Sequence, residues 1–181
     1  FDYRFEGIKQ WMYYTGFTGL PFEGGQLDLE LGYTFDWATK PRLSVEGFYA
    51  TKDYQQLFPT VHKWLGYADV LGRRNIGGFV IHASSGTFYD TKVMLDIHHF
   101  QRVDKLGPAY KLNGTTVLGT LTNSNALNVG DEIDLTINHQ LTKMLGITAG
   151  ASLFISGQYL KEQKATVPHL DFYYAQLDMK F

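Results

Sequence analysis

Cysteine is absent from the 181 residues. Its absence excludes a disulfide scaffold and Cys-ligated zinc, and leaves the compartment open. Long apolar runs are missing too. Although 44% of the residues are hydrophobic, none of the runs approaches the roughly twenty residues that a membrane-spanning helix requires. A membrane reading must therefore be a barrel, in which strands rather than helices satisfy the backbone. There is no basic patch: 16 Lys and Arg are interspersed with 18 Asp and Glu, so no nucleic-acid partner is expected. The chain does not open with a signal peptide. Phe1 instead stands inside an apparent strand, as expected if a leader has been removed or if the chain is a piece of a longer one. Proline is scarce and placed with discrimination. Pro21, Pro41, Pro59, Pro108 and Pro168 fall in connections or at the first residue of a strand, where a missing N–H donor does not interrupt a ladder. Gly-x-Ser-x-Gly, Walker and His-Glu-x-x-His patterns are lacking, and no Ser and His gather on one outward face, so an enzyme is not expected.

What the chain does have is alternation. In the last stretch, Pro168 to Phe181, the residues Tyr173, Ala175, Leu177, Met179 and Phe181 share one face. Tyr174, Gln176, Asp178 and Lys180 share the other. Period two held to a terminal aromatic predicts the last strand of an outer-membrane barrel, with its tip at a lipid–water boundary. About eight such strands are expected. The first, Phe1 to about Tyr14, sets Phe1, Tyr3, Phe5, Trp11 and Tyr13 against Asp2, Arg4, Glu6 and Gln10. In the second, Leu27, Leu29, Leu31, Tyr33 and Phe35 alternate with Asp28, Glu30, Gly32 and Thr34. The third puts Leu43, Val45, Gly47 and Tyr49 opposite Arg42, Ser44, Glu46 and Phe48. A Gly-rich fourth is expected over 75–83 and a fifth over 88–102, the latter with Val93, Leu95 and Ile97 opposite Lys92, Asp96 and His98. The sixth sets Ile133, Leu135 and Ile137 against Glu132, Asp134, Thr136 and Asn138, and ends before a turn at 140–144. The seventh sets Ile147, Ala149, Ala151, Leu153 and Ile155 against Thr148, Gly150, Ser152, Phe154 and Ser156. No long helix is expected, though a short helical turn fits within 52–74.

Connections after strands two, four and six are short, and those near 52–74, 104–129 and 161–167 are long. Outer-membrane barrels keep short turns on the periplasmic side and longer loops outside. The long segments are therefore expected to be extracellular, within one barrel domain spanning 1–181. Alternation alone does not say which face is enclosed, since a lipocalin-type barrel has an apolar interior. The near absence of charge on the apolar face and its bordering aromatics (15% of the chain) favour lipid outside and a polar lumen inside.

Several stretches resemble the alginate-export domain of outer-membrane porins. Trp37-Ala38-Thr39-Lys40-Pro41-Arg42-Leu43 is similar to that family's Lys-Pro-Arg-Leu lead into a strand. Residues 56–62 (Gln-Leu-Phe-Pro-Thr-Val-His) with Gly66-Tyr67-Ala68-Asp69 resemble its long-loop signature, and Val129 to Leu135 the lead into its penultimate hairpin. The resemblance runs in order from about residue 27 to the end. The family often has Asn where this chain has Gln55 or Gln56, and an aromatic near Arg73 and Arg74. The resemblance implies an all-β, antiparallel transmembrane barrel of roughly eighteen strands, of which this chain would be the C-terminal part. Read without it, eight strands can also close alone.

The expected function is passive passage of anionic saccharides or other small polar solutes. The alternative is a small closed eight-stranded barrel with a structural or adhesive role and no pore. A third reading is a soluble carbohydrate-binding β-domain. Pore-lining candidates are Arg4, Glu6, Asp28, Glu30, Arg42, Glu46, Lys92, Asp96, Glu132 and Asp134, since rings of charge set selectivity and Arg binds carboxylates bidentately. Their other role is to pair and stiffen the wall. Acids outnumber bases among them, which suits a polyanion only if other strands supply cations. Phe58, His62, Trp64 and Tyr67 are loop candidates, either stacking on sugars, folding inward to narrow the pore, or packing as a loop core. His98 and His99 are neighbours on a strand, so they point to opposite faces and do not chelate one ion. Asp104, Asn123, Asn125, Asn128 and Asp131 lack EF-hand spacing. No metal or cofactor is implied. Expected partners are outer-membrane lipid and lipopolysaccharide, with a polyuronate or small solute as cargo.

Overall fold

Alternation converts directly into strands. In this computed structural model, which describes residues 1–12, 22–57, 62, 64–119, 124–163 and 169–180, eight strands form one antiparallel sheet. They are β1 (Asp2–Met12), β2 (Phe22–Thr34), β3 (Arg42–Ala50), β4 (Ile76–Ser84), β5 (Thr91–Gln101), β6 (Asn128–Thr142), β7 (Leu145–Ser156) and β8 (His169–Met179). Each pairs with its sequence neighbours in the order β1 to β8. Among the described residues β1 and β8 do not pair with each other, so the sheet is open, as part of a larger barrel is. Tyr13, Tyr14, Phe58, Pro168 and Phe181 lie outside the described residues.

The faces sort as the alternation predicts. Leu29 and Leu135 are 44% and 42% exposed, whereas Asp134 and Ser152 are 1% and 4% exposed. A protein that hides its carboxylates and exposes its leucines has an apolar outside. The cause on the inner side is a second layer of chain. The described residues of the long connections 51–75 and 102–127 fold onto the polar face and cover one end of it. The sheet also bends around them. Seven strand gaps of about 4.8 Å would set β1 and β8 roughly 34 Å apart in a flat array, with their side chains parallel. Yet Arg4 on β1 lies 4.9 Å from the Trp64 ring, and Tyr174 on β8 lies 5.0 Å from the Tyr67 ring. One four-residue run reaches both outermost strands only if the strands face each other across a trough.

The core occupies the long-connection end of that trough. Phe48, Val80, Phe100 and Phe154 project inward from β3, β4, β5 and β7 and meet Leu65, Leu71, Ala109, Leu118, Tyr159 and Leu160 from the covering layer. Phe100 and Phe154 are fully buried. Two polar residues organise the layer. Arg102 donates to the carbonyls of Ser124, Ala126, Lys105 and Gly107, and its guanidinium lies 4.1 Å over the Tyr159 ring. Asn75, at φ 52°, donates to the Asp104 and Pro108 carbonyls and accepts from the Asp104 N–H, tying one connection to the other.

Several stretches differ from the sequence reading. β6 continues through His139 to Thr142, so the turn is only Lys143 and Met144, where a turn over 140–144 is expected. The pairing of Gln140 with Gly146 carries the ladder past the polar residues. A short helix, α1 (Gln158–Glu162), follows β7 and runs into the first residues of the polar loop expected near 161–167. Its Tyr159 and Leu160 are buried against the second layer, a tertiary contact that five residues of sequence do not announce. The described residues of 52–74 contain turns and no helix.

Candidate functional site on the inner wall

The site grows out of strand register. Arg4 pairs with Glu30, and Glu30 with Glu46, placing two carboxylates side by side on the inner face. Directly opposed like charges repel. Arg4 resolves this by bridging both, at 3.2 Å from Glu30 and 2.5 Å from Glu46. Arg42 repeats the device between Asp2 and Glu30, at 2.9 Å from the latter, while Ser44 donates to the same Glu30 oxygen at 2.7 Å. His82 extends the row, 2.7 Å from Asp96 and 3.5 Å from Glu46. Glu6 accepts from the Gln26 amide. The result is a band of alternating charge across β1 to β5.

Deeper in the trough the covering layer supplies the cation. Arg73 is 3% exposed and donates to Asp28 at 2.5 Å and to Gln26 at 2.8 Å. Its guanidinium lies 5.3 Å from the Trp64 ring, which has the Arg4 guanidinium at 4.9 Å. Trp64 thus joins a wall cation to a loop cation through its π faces.

On β5 to β8 the contacts change from ion pairs to backbone donors. The Ala68 N–H donates to Glu132 at 2.7 Å, and the Tyr67 N–H donates to Asp134 at 3.3 Å. His98 approaches Asp134 at 3.1 Å. Beside these, the loop rings lie on wall rings. His62 stacks over Phe172 at 5.6 Å and Tyr67 over Tyr174 at 5.0 Å, with planes 18° and 2° apart. The Tyr174 hydroxyl meets Thr136 at 2.7 Å. Gly150, opposite Tyr174, leaves room for that ring; a β-carbon there would overlap it.

All ten charged candidates lie on the inner face, but in two groups. Arg4, Glu6, Glu30, Arg42, Lys92 and Asp96 keep contact with solvent. Asp28, Glu46, Glu132 and Asp134 are at most 3% exposed, covered by the loop layer and crossing arginines, so they do not present a free surface. Of the loop candidates, His62, Trp64 and Tyr67 come together on the wall, and Phe58 lies outside the described residues. His98 faces inward and His99 outward, against Asp131 and Phe79. Among the described residues no cluster of His, Asp and Glu has the arrangement to hold a metal ion.

The alternation does not single out Arg73, because its partners lie more than forty residues away in sequence. Phe172 and Tyr174 do carry a signal: both are aromatics at polar-face positions. No helix of the described chain is long and apolar enough to cross a membrane, which leaves strands as the elements able to do so.

No curated protein matches the chain. The family model described as "Alginate export" matches residues 1–173, nearly the whole length, from β1 into the first half of β8. The chain therefore belongs to the alginate-export family, a family of transport proteins rather than enzymes.

Proposed function

We propose that the chain forms part of the wall of a bacterial outer-membrane channel, of the Gram-negative porin type, for passive passage of anionic saccharides or other small polar solutes. The observation that carries this reading is the inverted polarity of the sheet: an exposed leucine-rich face and a buried carboxylate-rich one. Lipid and lipopolysaccharide would meet the outer face. The short connections 35–41, 85–90 and 143–144 would lie on the periplasmic side, and the long ones outside. The described residues of the 51–75 loop lie against the inner wall and would narrow the passage.

The loop layer also answers the charge problem. A wall rich in acids repels a polyanion, but Asp28, Glu46, Glu132 and Asp134 are capped before solute reaches them. The surface left for solute is the loop layer with three bases, Arg4, Arg42 and Lys92, balanced by three acids, Glu6, Glu30 and Asp96. Rigid, paired charge suits a path that must bind weakly enough to release.

The alternative, a closed eight-stranded barrel without a pore, requires β1 to pair with β8; no such pairing is present among the described residues. Single-channel recording in planar bilayers tests the reading. Stable open-channel current that a polyuronate reduces supports it. A membrane-inserted protein that passes no current overturns it.

A further inference from the structure

The inner wall has a second polar recess, away from the loop layer, at the end where the short connections lie. It is an open pocket of about 540 Å³, within the size range of small-molecule sites. Register explains its floor. Lys92 pairs with Asn138 and Asn138 with Thr148, so three polar side chains form one row across β5 to β7, which Gln176 on β8 continues beyond the pocket. Thr148 donates to the Asn138 carbonyl oxygen at 2.7 Å. That leaves the Asn138 amide nitrogen to donate and the Thr148 oxygen to accept. Lys180 follows the end of β8 and lines the same pocket.

What sets this pocket apart is its cations. Elsewhere on the inner wall Arg4, Arg42 and Arg73 are all tied to carboxylates. Lys92 and Lys180 are exposed, and neither forms an ion pair with another described residue. Two acids, Asp90 and Asp178, share the lining; Asp178 already accepts from the Gln176 amide at 2.6 Å. A row of amide, hydroxyl and carboxylate groups matches sugar hydroxyls, and the free ammonium groups match a sugar carboxylate. The nearby acids hold the affinity down.

We infer that this pocket, floored by Asn138 and Thr148 and flanked by Lys92 and Lys180, is the first subsite for a carboxylate-bearing sugar unit entering the channel. The inference rests on the channel reading and names the solute chemistry at one mouth. Lysine charge gives the selectivity, and the amide–hydroxyl pair reads the ring.

The test uses the full-length protein in detergent, titrated with trigalacturonate and with maltotriose and followed by saturation-transfer NMR. Trigalacturonate is expected to bind more tightly than maltotriose. K92Q and K180Q should each weaken trigalacturonate about five- to tenfold, as expected for one ammonium–carboxylate contact near a surface, and leave maltotriose unchanged. K92R with K180R should retain binding, and D178N should tighten it. Failure of trigalacturonate to bind, equal binding of the two sugars, or unchanged affinity in K92Q and K180Q would each overturn the inference. Bilayer current recorded on the same samples separates the two readings: normal conduction with unaltered sugar binding sinks the subsite alone, whereas absent conduction sinks the channel.

Discussion

Gly66 lies against the carboxyl group of Glu132, so close that a β-carbon on it would overlap the carboxylate. Its backbone is also left-handed, at φ 86°, a conformation that side chains disfavour. These two facts place the loop. Only glycine lets the chain turn there and bring the next N–H groups onto Glu132 and Asp134. Gly66→Ala should therefore lift the Trp64–Asp69 run off β6. The cost is about 1–2 kcal/mol from the backbone and about 0.5–1.5 kcal/mol for each hydrogen bond lost. Hydrogen exchange should show the Tyr67 and Ala68 amides losing protection, with a rise in single-channel conductance. Unchanged protection would mean that the loop is held elsewhere.

Arg73 and Asp28 form a buried pair, 3% and 2% exposed. Removing one partner of such a pair strands a charge and costs about 3–5 kcal/mol. Arg73→Met is expected to fall in that range in urea unfolding from lipid vesicles. Adding Asp28→Asn should recover part of the loss, because the stranded carboxylate goes with it. A double variant no better than the single one would show that Arg73 acts through its ring contacts with Trp64 and Phe48.

Strand phase was legible in the sequence, and the reason is period two: Leu29 against Glu30 and Leu135 against Asp134 need no tertiary knowledge. The covering layer was not. Phe48 and Phe154 stand on the polar face by phase, a visible hint that something apolar meets them, but nothing local names Leu71 or Leu160 as that partner. Arg73 is hidden for the same reason. The polar run at Gln140 to Thr142 reads as a turn because local chemistry favours one, and the ladder with β7 overrides it.

The two long connections are joined by Lys52 and Asp104, 3.1 Å apart. The Leu106 N–H, then Lys52, hold the Asp104 carboxyl below its ordinary value, and Asp104 holds the Lys52 ammonium above its own. For the depressed carboxyl, the contribution is complete above about pH 3.9 and disappears as pH falls through the folded value. For the raised ammonium, it is complete below about pH 10.4 and disappears as pH rises through the folded value. Between those limits Asp104→Asn should speed proteolysis in 102–127 relative to the unaltered chain. Near pH 2 the difference should vanish. A difference that persists there would assign the effect to the amide hydrogen bond alone.

Leu135 projects from the middle of β6 on the exposed face. If lipid covers that face, Leu135→Arg should cost about 2–4 kcal/mol in folding into vesicles. In a solvated surface the same change would stay within about 0.5 kcal/mol. Folding titrations in urea distinguish the two.

Orientation is the central claim, and the lack of native cysteine in the chain makes it directly measurable. Single cysteines at Leu29, Leu135 and Leu153, and at Asn138 and Gln176 on the other face, can carry a nitroxide in the lipid-inserted full-length protein. Relaxation by oxygen, which concentrates in lipid, should dominate at the three leucine positions. Relaxation by a water-soluble nickel chelate should dominate at Asn138 and Gln176. The reverse pattern, with the leucines shielded from oxygen or open to the chelate, would contradict the account.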